Sequence, residues 1–123
     1  MVKTTTSAIE IDDFGVIHNT FKTRSAFKTV YILEQANTIR QILNGKKAPI
    51  MVDVLKVDKI KISLYSKLFH NNNLENASAI AVLVNSVLQK KILNFWYRGK
   101  KQSCPLMVFT CKIEANSWLQ AHV

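Results

Sequence analysis

Three short, almost uninterrupted apolar runs constrain the fold of this chain more than any other feature of its sequence. They occupy residues 50–54, 79–84 and 106–109. A strand with one wet face alternates between apolar and polar residues, whereas an unbroken run is typical of a strand covered on both faces, as in a parallel sheet. Between these runs the apolar spacing changes to that of helices. The sequence therefore predicts alternating strands and helices around a parallel sheet.

Four helices are expected around these strands. The first ends at Asn44-Gly45, a pair typical of a left-handed C-terminal cap. Its apolar face is made of Ile32, Leu33, Ala36, Ile39, Ile42 and Leu43. The second has apolar residues at positions 60, 64, 65, 68 and 69 and ends at Asn71-Asn72-Asn73. The third has helical spacing that predicts contact with the sheet for Val87, Leu88, Ile92, Phe95 and Trp96. The last follows Thr110, a candidate N-cap, and has Ala115, Trp118 and Leu119 on one face.

The N-terminal part of the chain predicts an antiparallel hairpin. Residues 8–11 and 16–21 alternate in part and are separated by Asp12-Asp13-Phe14-Gly15, which are turn-forming residues. A chain of 123 residues has room for one core. We therefore expect a single α/β domain over residues 1–123, with a mixed sheet of about five strands and about four helices.

Charge and cysteine usage restrict the setting in which the chain works. The net charge is +9 and the pI about 9.8, which bears on solubility and on anionic partners. No apolar run approaches the roughly 18 residues of a membrane span, and no signal-peptide pattern is present. Cys104 and Cys111 flank a predicted strand whose ends are about 20 Å apart, beyond disulfide reach. Free thiols favour the cytoplasm.

An ordered set of short motifs carries a family resemblance. Residues 44–53 read Asn-Gly-Lys-Lys-Ala-Pro-Ile-Met-Val-Asp, and residues 81–86 read Ala-Val-Leu-Val-Asn-Ser. Further along come Asn94-Phe95, Phe109-Thr110 and the run from Ala115 to Trp118-Leu119. The set resembles small uncharacterised bacterial STAS-like proteins (SpoIIAA-like, STAS/SEC14-like), over residues 15–119. The resemblance implies that fold and a partner-binding or ligand-binding role without chemistry of its own.

In regulated STAS domains, a serine or threonine near the start of the helix after the second central strand is the phosphorylation switch. The matching stretch here is residues 58–63, which lacks an Asp-Ser-Ser-Gly motif and places Ser63 a few residues late. Phosphorylation control at Ser63 is therefore not expected, although Ser63 stays a candidate for the partner surface.

Four other polar residues are candidates for a partner or ligand surface. Asp53 ends a buried strand, where α/β sheets bind ligands, and Asp58 is the acid nearest to it in the following loop. Each has a simpler interpretation, since an acid such as Asp53 can cap a loop by accepting backbone N–H bonds. Asn85 and Ser86 open a helix and form a candidate anion site, or Ser86 is only the N-cap.

A basic, aromatic-rich segment follows. Lys91 and Arg98 share a helical face, and Lys100 and Lys101 follow Gly99, so these four are candidates for contact with an anion. Such a mixture of cationic and aromatic side chains suits binding to nucleic acid or to an anionic membrane surface. In the competing interpretation the aromatics Phe95-Trp96-Tyr97 face the sheet and the lysines form a solvated face. Other lysines are spread over several loops, which dilutes any single basic stripe. We expect neither nucleic acid nor a membrane as the partner.

No catalytic residue, metal set or cofactor motif is evident, so we expect no enzyme. The function that we predict is a cytoplasmic protein-interaction module, regulatory in character. Its partner is expected to be a protein, either a different one or a second copy of this chain. The alternative is a carrier of a small apolar ligand or lipid. An enclosed apolar cavity would favour the carrier, and a filled core with an apolar surface patch would favour protein contact.

Overall fold

A mixed sheet runs through the molecule with its strands in the order in which they occur along the chain. The computed structural model describes residues 1–58, 60–72, 75–98 and 104–123. Its six strands are β1 (Val2–Lys3), β2 (Ser7–Ile11), β3 (Ile17–Phe21), β4 (Ala48–Asp53), β5 (Ala77–Leu83) and β6 (Leu106–Phe109). The first three pair antiparallel and the last four pair parallel. The predicted α/β class is confirmed, with six strands rather than about five.

In the hairpin between β2 and β3, one side chain adds to the backbone hydrogen bonds that close the turn. Oδ1 of Asp12 accepts hydrogen bonds from the backbone N–H groups of Phe14 (2.9 Å) and Val16 (3.0 Å). Gly15 has a φ of +86°, a left-handed conformation that glycine adopts without a steric penalty. The predicted hairpin is therefore confirmed.

Three α-helices lie within the described residues: α1 (Thr29–Leu43), α2 (Val87–Arg98) and α3 (Lys112–Gln120). Helix α1 ends as predicted, at Asn44 with a φ of +48°. Helix α3 begins one residue later than predicted, because Cys111 rather than Thr110 precedes it, and the Cys111 side chain forms no cap hydrogen bond. No disulfide bond joins the two cysteines, both of which are described.

The helix predicted from residue 60 to residues 71–73 ends where expected but is a 3₁₀ helix, Ile62–Asn72, and a shorter 3₁₀ helix spans Arg24–Phe27. In the longer segment Tyr65 and Leu68 are buried three residues apart, which is the repeat of a 3₁₀ helix. Oγ of Ser66 donates to the carbonyl of Ser63 at 2.9 Å, a local bond that competes with α-helical pairing. The prediction of an α-helix was wrong because apolar spacing alone does not distinguish the two helix types.

The sequential strand order distributes the helices unevenly over the sheet. Crossovers of one hand between successive parallel strands place their connections on the same face. Helices α1 and α2 and the Ile62–Asn72 segment accordingly share one hydrophobic core with the inward residues of β3, β4 and β5. Helix α3 covers the other face, where Ala115 and Leu119 pack against Met51, Ala79 and Ala81. Trp118 packs there too, with its ring 5.7 Å from that of Phe109.

Candidate functional site

Helix α2 is rotated relative to the sequence prediction. The side chains that it buries are Leu93 and Tyr97. Of the residues expected against the sheet, Leu88 (68% exposed) and Phe95 (77%) lie mainly in solvent and Ile92 is 40% exposed, whereas Trp96 is partly buried against the core. The prediction failed because α2 is apolar on more than one side, so helical spacing fits two different faces. The second apolar face is the feature that sequence reasoning missed.

This second face forms one wall of a groove. The other wall is the first part of the Ile62–Asn72 segment, and the groove has a volume of about 910 Å³. Its lining is mostly apolar, with two hydroxyls and one guanidinium: Ile62, Ser63, Ser66, Ile92, Phe95, Trp96 and Arg98. Exposed apolar surface that is concave and rimmed by polar groups is typical of interaction sites. We call it the α2 groove.

Buried polar contacts hold the two walls together beneath the groove. The Tyr65 hydroxyl donates to Oε1 of Gln89 at 3.2 Å, and Nε2 of Gln89 donates to the carbonyl of Ile60 at 2.8 Å. The Tyr97 hydroxyl reaches the carbonyl of Tyr65 at 3.5 Å. Burial raises the pKa of Tyr65 to about 12, and burial together with the nearby Tyr65 raises the pKa of Tyr97 further. The walls are therefore fixed to each other through neutral phenols.

Two more polar side chains fix the position of α2 on the sheet. Oγ of Ser86 accepts the backbone N–H of Gln89 at 3.2 Å, which confirms Ser86 as the N-cap. Asn94 bridges α2 to β6, because its Nδ2 donates to the carbonyl of Val108 (3.0 Å) and its Oδ1 accepts the N–H of the same residue (2.9 Å). Strand β6 is at the edge of the sheet, so Asn94 satisfies backbone groups that no neighbouring strand reaches.

The five residues proposed for a partner or ligand surface do not form one site. Ser63 lies in the α2 groove and is exposed. Asp53 is buried at the end of β4 and its Oδ1 accepts the N–H of Leu55 at 2.9 Å, which is the simpler interpretation of this acid. Asp58 and Asn85 are exposed outside the groove lining, and Ser86 caps α2.

Of the four proposed anion-contacting residues, Lys91 and Arg98 are exposed on α2, and Arg98 lines the groove. Lys100 and Lys101 lie outside the described residues. The sequence contains no acid between Glu75 and Glu114, so α2 carries only positive charge. The Ile62–Asn72 segment contains no acid either.

A histidine–aspartate pair on the β2–β3 hairpin was not anticipated. Nε2 of His18 lies 2.7 Å from Oδ2 of Asp12, a contact that the six-residue separation across a turn permits. Burial opposes ionisation of Asp12, but the hydrogen bonds from His18, Val16 and Phe14 and the His18 charge outweigh it, so the pKa of Asp12 lies below its ordinary 3.8. Over the described ranges, no group of three or more His, Cys, Asp or Glu residues is placed to hold a metal ion. None of the helices in those ranges combines the length and apolar character that crossing a bilayer requires.

A buried polar pair lies between α1 and the sheet. Asn19 and Gln35 are 3% and 4% exposed, and Nδ2 of Asn19 donates to Oε1 of Gln35 at 2.9 Å. Nε2 of Gln35 donates to the carbonyl of Ala26 at 3.1 Å. The cavity beside the pair has a volume of about 10 Å³, the size of one water molecule. The core beneath α1 is thus filled.

Comparisons with known proteins identify a family and a fold. The model of a family described as a domain of unknown function (DUF7793) matches residues 9–123. No protein with a curated description matches the chain. The chain is similar in structure to an uncharacterised DUF3478-family protein with a SpoIIAA-like fold from Shewanella loihica PV-4, with 15% identity and a TM-score of 0.53 over 97% of this chain and 98% of that one. The predicted resemblance to the SpoIIAA-like fold is confirmed.

Proposed function

We propose that this chain, which belongs to the DUF7793 family, is a non-enzymatic protein-interaction module of the cytoplasm that binds its partner in the α2 groove. The observation that carries the proposal is the exposed apolar face of α2, with Phe95 at its centre. A large aromatic side chain that is 77% exposed contributes little to the fold and belongs to the residue types that are enriched at protein interfaces.

The construction of the groove supports the proposal. Its two walls are joined by the Tyr65, Gln89 and Tyr97 contacts, so the surface is formed before a partner arrives. A preformed surface loses less conformational entropy on binding than a surface that must be ordered. The SpoIIAA-like fold neighbour is itself uncharacterised, so it adds the fold and no partner.

The small-ligand alternative has less support from the interior of the molecule. The cavity between α1 and the sheet, about 10 Å³, has no room for an apolar ligand. The larger space is the α2 groove, which is open to solvent along Phe95 and would leave much of a lipid tail in water. Native mass spectrometry of protein purified from its own cells would reveal a carrier by a bound small molecule.

Site-specific photo-crosslinking in living cells tests the proposal. A photoreactive phenylalanine analogue is placed at Ser63 in the groove or, as the control, at Val30, which is 64% exposed on α1. We expect a discrete protein adduct from position 63 and none of the same mass from position 30. Adding Phe95→Glu should remove that adduct. The same substitution at Ile113, which is also 77% exposed but lies on α3, should leave it.

Two results would contradict the proposal. One is the absence of any adduct from position 63, and the other is an adduct that Phe95→Glu leaves unchanged. Circular dichroism of each purified variant shows whether it is folded, so a lost adduct can be assigned to the groove.

A further inference from the structure

We propose that the occupant of the α2 groove is an amphipathic helix of a partner protein, with an apolar stripe flanked by acidic side chains. This inference rests on the proposed function and specifies the chemistry of the partner segment. It depends on the shape of the groove, on the charge along its rim and on the backbone groups near it.

The shape of the groove fits a helix. Leu88, Ile92 and Phe95 are spaced i, i+4 and i+7, which forms a continuous apolar ridge about 10 Å long on α2. The facing wall is also helical, and Ile62 contributes the apolar contact there. Two helical walls lined with apolar side chains take the apolar stripe of a third helix, as in helix-in-groove recognition.

The charge of the rim selects an acidic helix. Lys91 is one turn from both Leu88 and Phe95, and Arg98 is one turn from Phe95, so two cations border the ridge. Neither wall contains a carboxylate that would neutralise them. A partner helix with Glu or Asp beside its apolar stripe would complement this rim, whereas a basic helix would be repelled.

The same charge argues against a second copy of this chain as the occupant. A symmetric dimer through the α2 groove would bring Lys91 and Arg98 of one copy close to the same residues of the other, in a chain whose net charge is +9. None of the described helices could serve as the acidic helix in the groove of a second copy. Glu34 is the only acid of α1, Glu114 is the only acid of α3, and α2 has none.

An extended peptide is disfavoured because part of the nearest described sheet edge is already hydrogen-bonded. A strand-like occupant needs a sheet edge with unpaired N–H and C=O groups. The edge strand next to α2 is β6, and there Asn94 already bonds both backbone groups of Val108. A helix satisfies its own backbone hydrogen bonds and needs only side-chain contact, which is what the α2 groove provides.

A planar anionic surface or a nucleic acid fits less well. The apolar lining of the groove is concave between two walls, so a flat bilayer would touch the rim and Phe95 but not Ile62. The described cations bordering the ridge, Lys91 and Arg98, are too few for the many phosphate contacts that nucleic-acid binding requires.

Selection from a display library of random peptides tests the inference, and it works even though the partner protein has not been identified. The wild-type chain is the bait, and the Phe95→Glu variant removes peptides that bind elsewhere. We expect the enriched peptides to share apolar residues at helical spacing and an excess of acids over bases. Replacing those acids with amides should weaken binding about tenfold at low salt, and the difference should shrink as salt rises.

A matched pair of charge reversals locates the effect. Arg98→Glu should weaken the selected peptides about tenfold. Lys112→Glu makes the same change in net charge at an exposed position on α3, on the other face of the sheet, and should leave their affinity unchanged.

The outcomes separate the inference from the function beneath it. Phe95-dependent peptides that are neutral, basic or extended would overturn the acidic helix and leave a protein-binding groove. Phe95-dependent binding to vesicles of phosphatidylglycerol or to duplex DNA, without peptide binding, would overturn the inference in favour of that anion. If no peptide depends on Phe95 and position 63 gives no adduct in cells, both the inference and the proposed function are wrong.

Discussion

Helices α1 and α2 lie on the same face of the sheet, yet they bury their apolar side chains to different degrees. Helix α1 exposes Val30 and Leu33, although Leu33 was expected on its buried face, but most of its apolar side chains and the amide of Gln35 are in the core: Ile32, Ala36, Ile39 and Leu43. Helix α2 buries only Leu93 and Tyr97 and leaves Phe95 in solvent. The two helices share one core but differ in role. Most of the apolar surface of α1 stabilises the fold, whereas much of that of α2 remains available for a partner.

The largest expected effect is on the free energy of unfolding, and it comes from making the same substitution, Ile→Ala, in each of the two helices. Ile39→Ala on α1 removes a side chain that is 2% exposed and should lower the free energy of unfolding by about 2–5 kcal/mol. Ile92→Ala on α2 removes one that is 40% exposed and should lower it by about half as much. Urea denaturation of both variants measures the difference. Equal losses would remove the distinction between the helices.

The second prediction concerns the polar pair beneath α1. Gln35→Leu leaves Nδ2 of Asn19 and the carbonyl of Ala26 without the partners they have now, which should lower the free energy of unfolding by about 1–3 kcal/mol. Combining it with Asn19→Leu should destabilise by less than the sum of the two single losses, because both buried amides are then gone. A double-mutant cycle in urea checks this, and strict additivity would show that the pair does not interact.

The buried side of α2 makes the third prediction. Below pH 10 the phenols of Tyr65 and Tyr97 are neutral in both the folded and the unfolded chain, so they add no pH dependence. Above pH 10 the unfolded chain loses those protons first, and stability falls as the pH rises towards the folded pKa of about 12 for Tyr65. The loss from Tyr65 should reach about 1 kcal/mol by pH 11.

Unfolding measured by circular dichroism between pH 9 and 11 reveals this loss. Tyr65→Phe, which has no ionisable phenol at that position, should show a shallower decline than the wild type. An alkaline decline of the same steepness in both proteins would contradict the burial of Tyr65 beneath the groove.

The smallest expected effect is on stability at the centre of the groove. Phe95→Ser should change the free energy of unfolding by less than about 0.5 kcal/mol, because the ring is mostly in water before and after the change. The same variant should lose the partner adduct. A destabilisation of about 2 kcal/mol or more would mean that Phe95 packs into the fold, and the contrast between the helices would fail.

The sequence predicts some of these elements well, for physical reasons that can be named. Residues 50–54 and 79–84 are almost entirely apolar because helices cover both faces of the sheet. A short unbroken apolar run fits few structures other than a strand that is buried on both faces. Strand β1 was missed because its two residues are exposed and follow no pattern. The α2 groove was missed because Leu93 and Tyr97 carry the same helical spacing as Leu88, Ile92 and Phe95, and spacing alone does not say which set meets the sheet.

The sequential order of the strands has a consequence for how the chain folds as it is synthesised. Each strand pairs with the one that precedes it along the chain, so every new strand finds its neighbour already made. The antiparallel pairs are local and form early, whereas each parallel pair must wait for a long crossover to be made. The face that carries Met51, Ala79 and Ala81 is covered last, because α3 is the last element to appear. A nascent chain that has not yet reached Lys112 therefore holds an assembled sheet with one apolar face bare, which is the stage at which it is most exposed to aggregation.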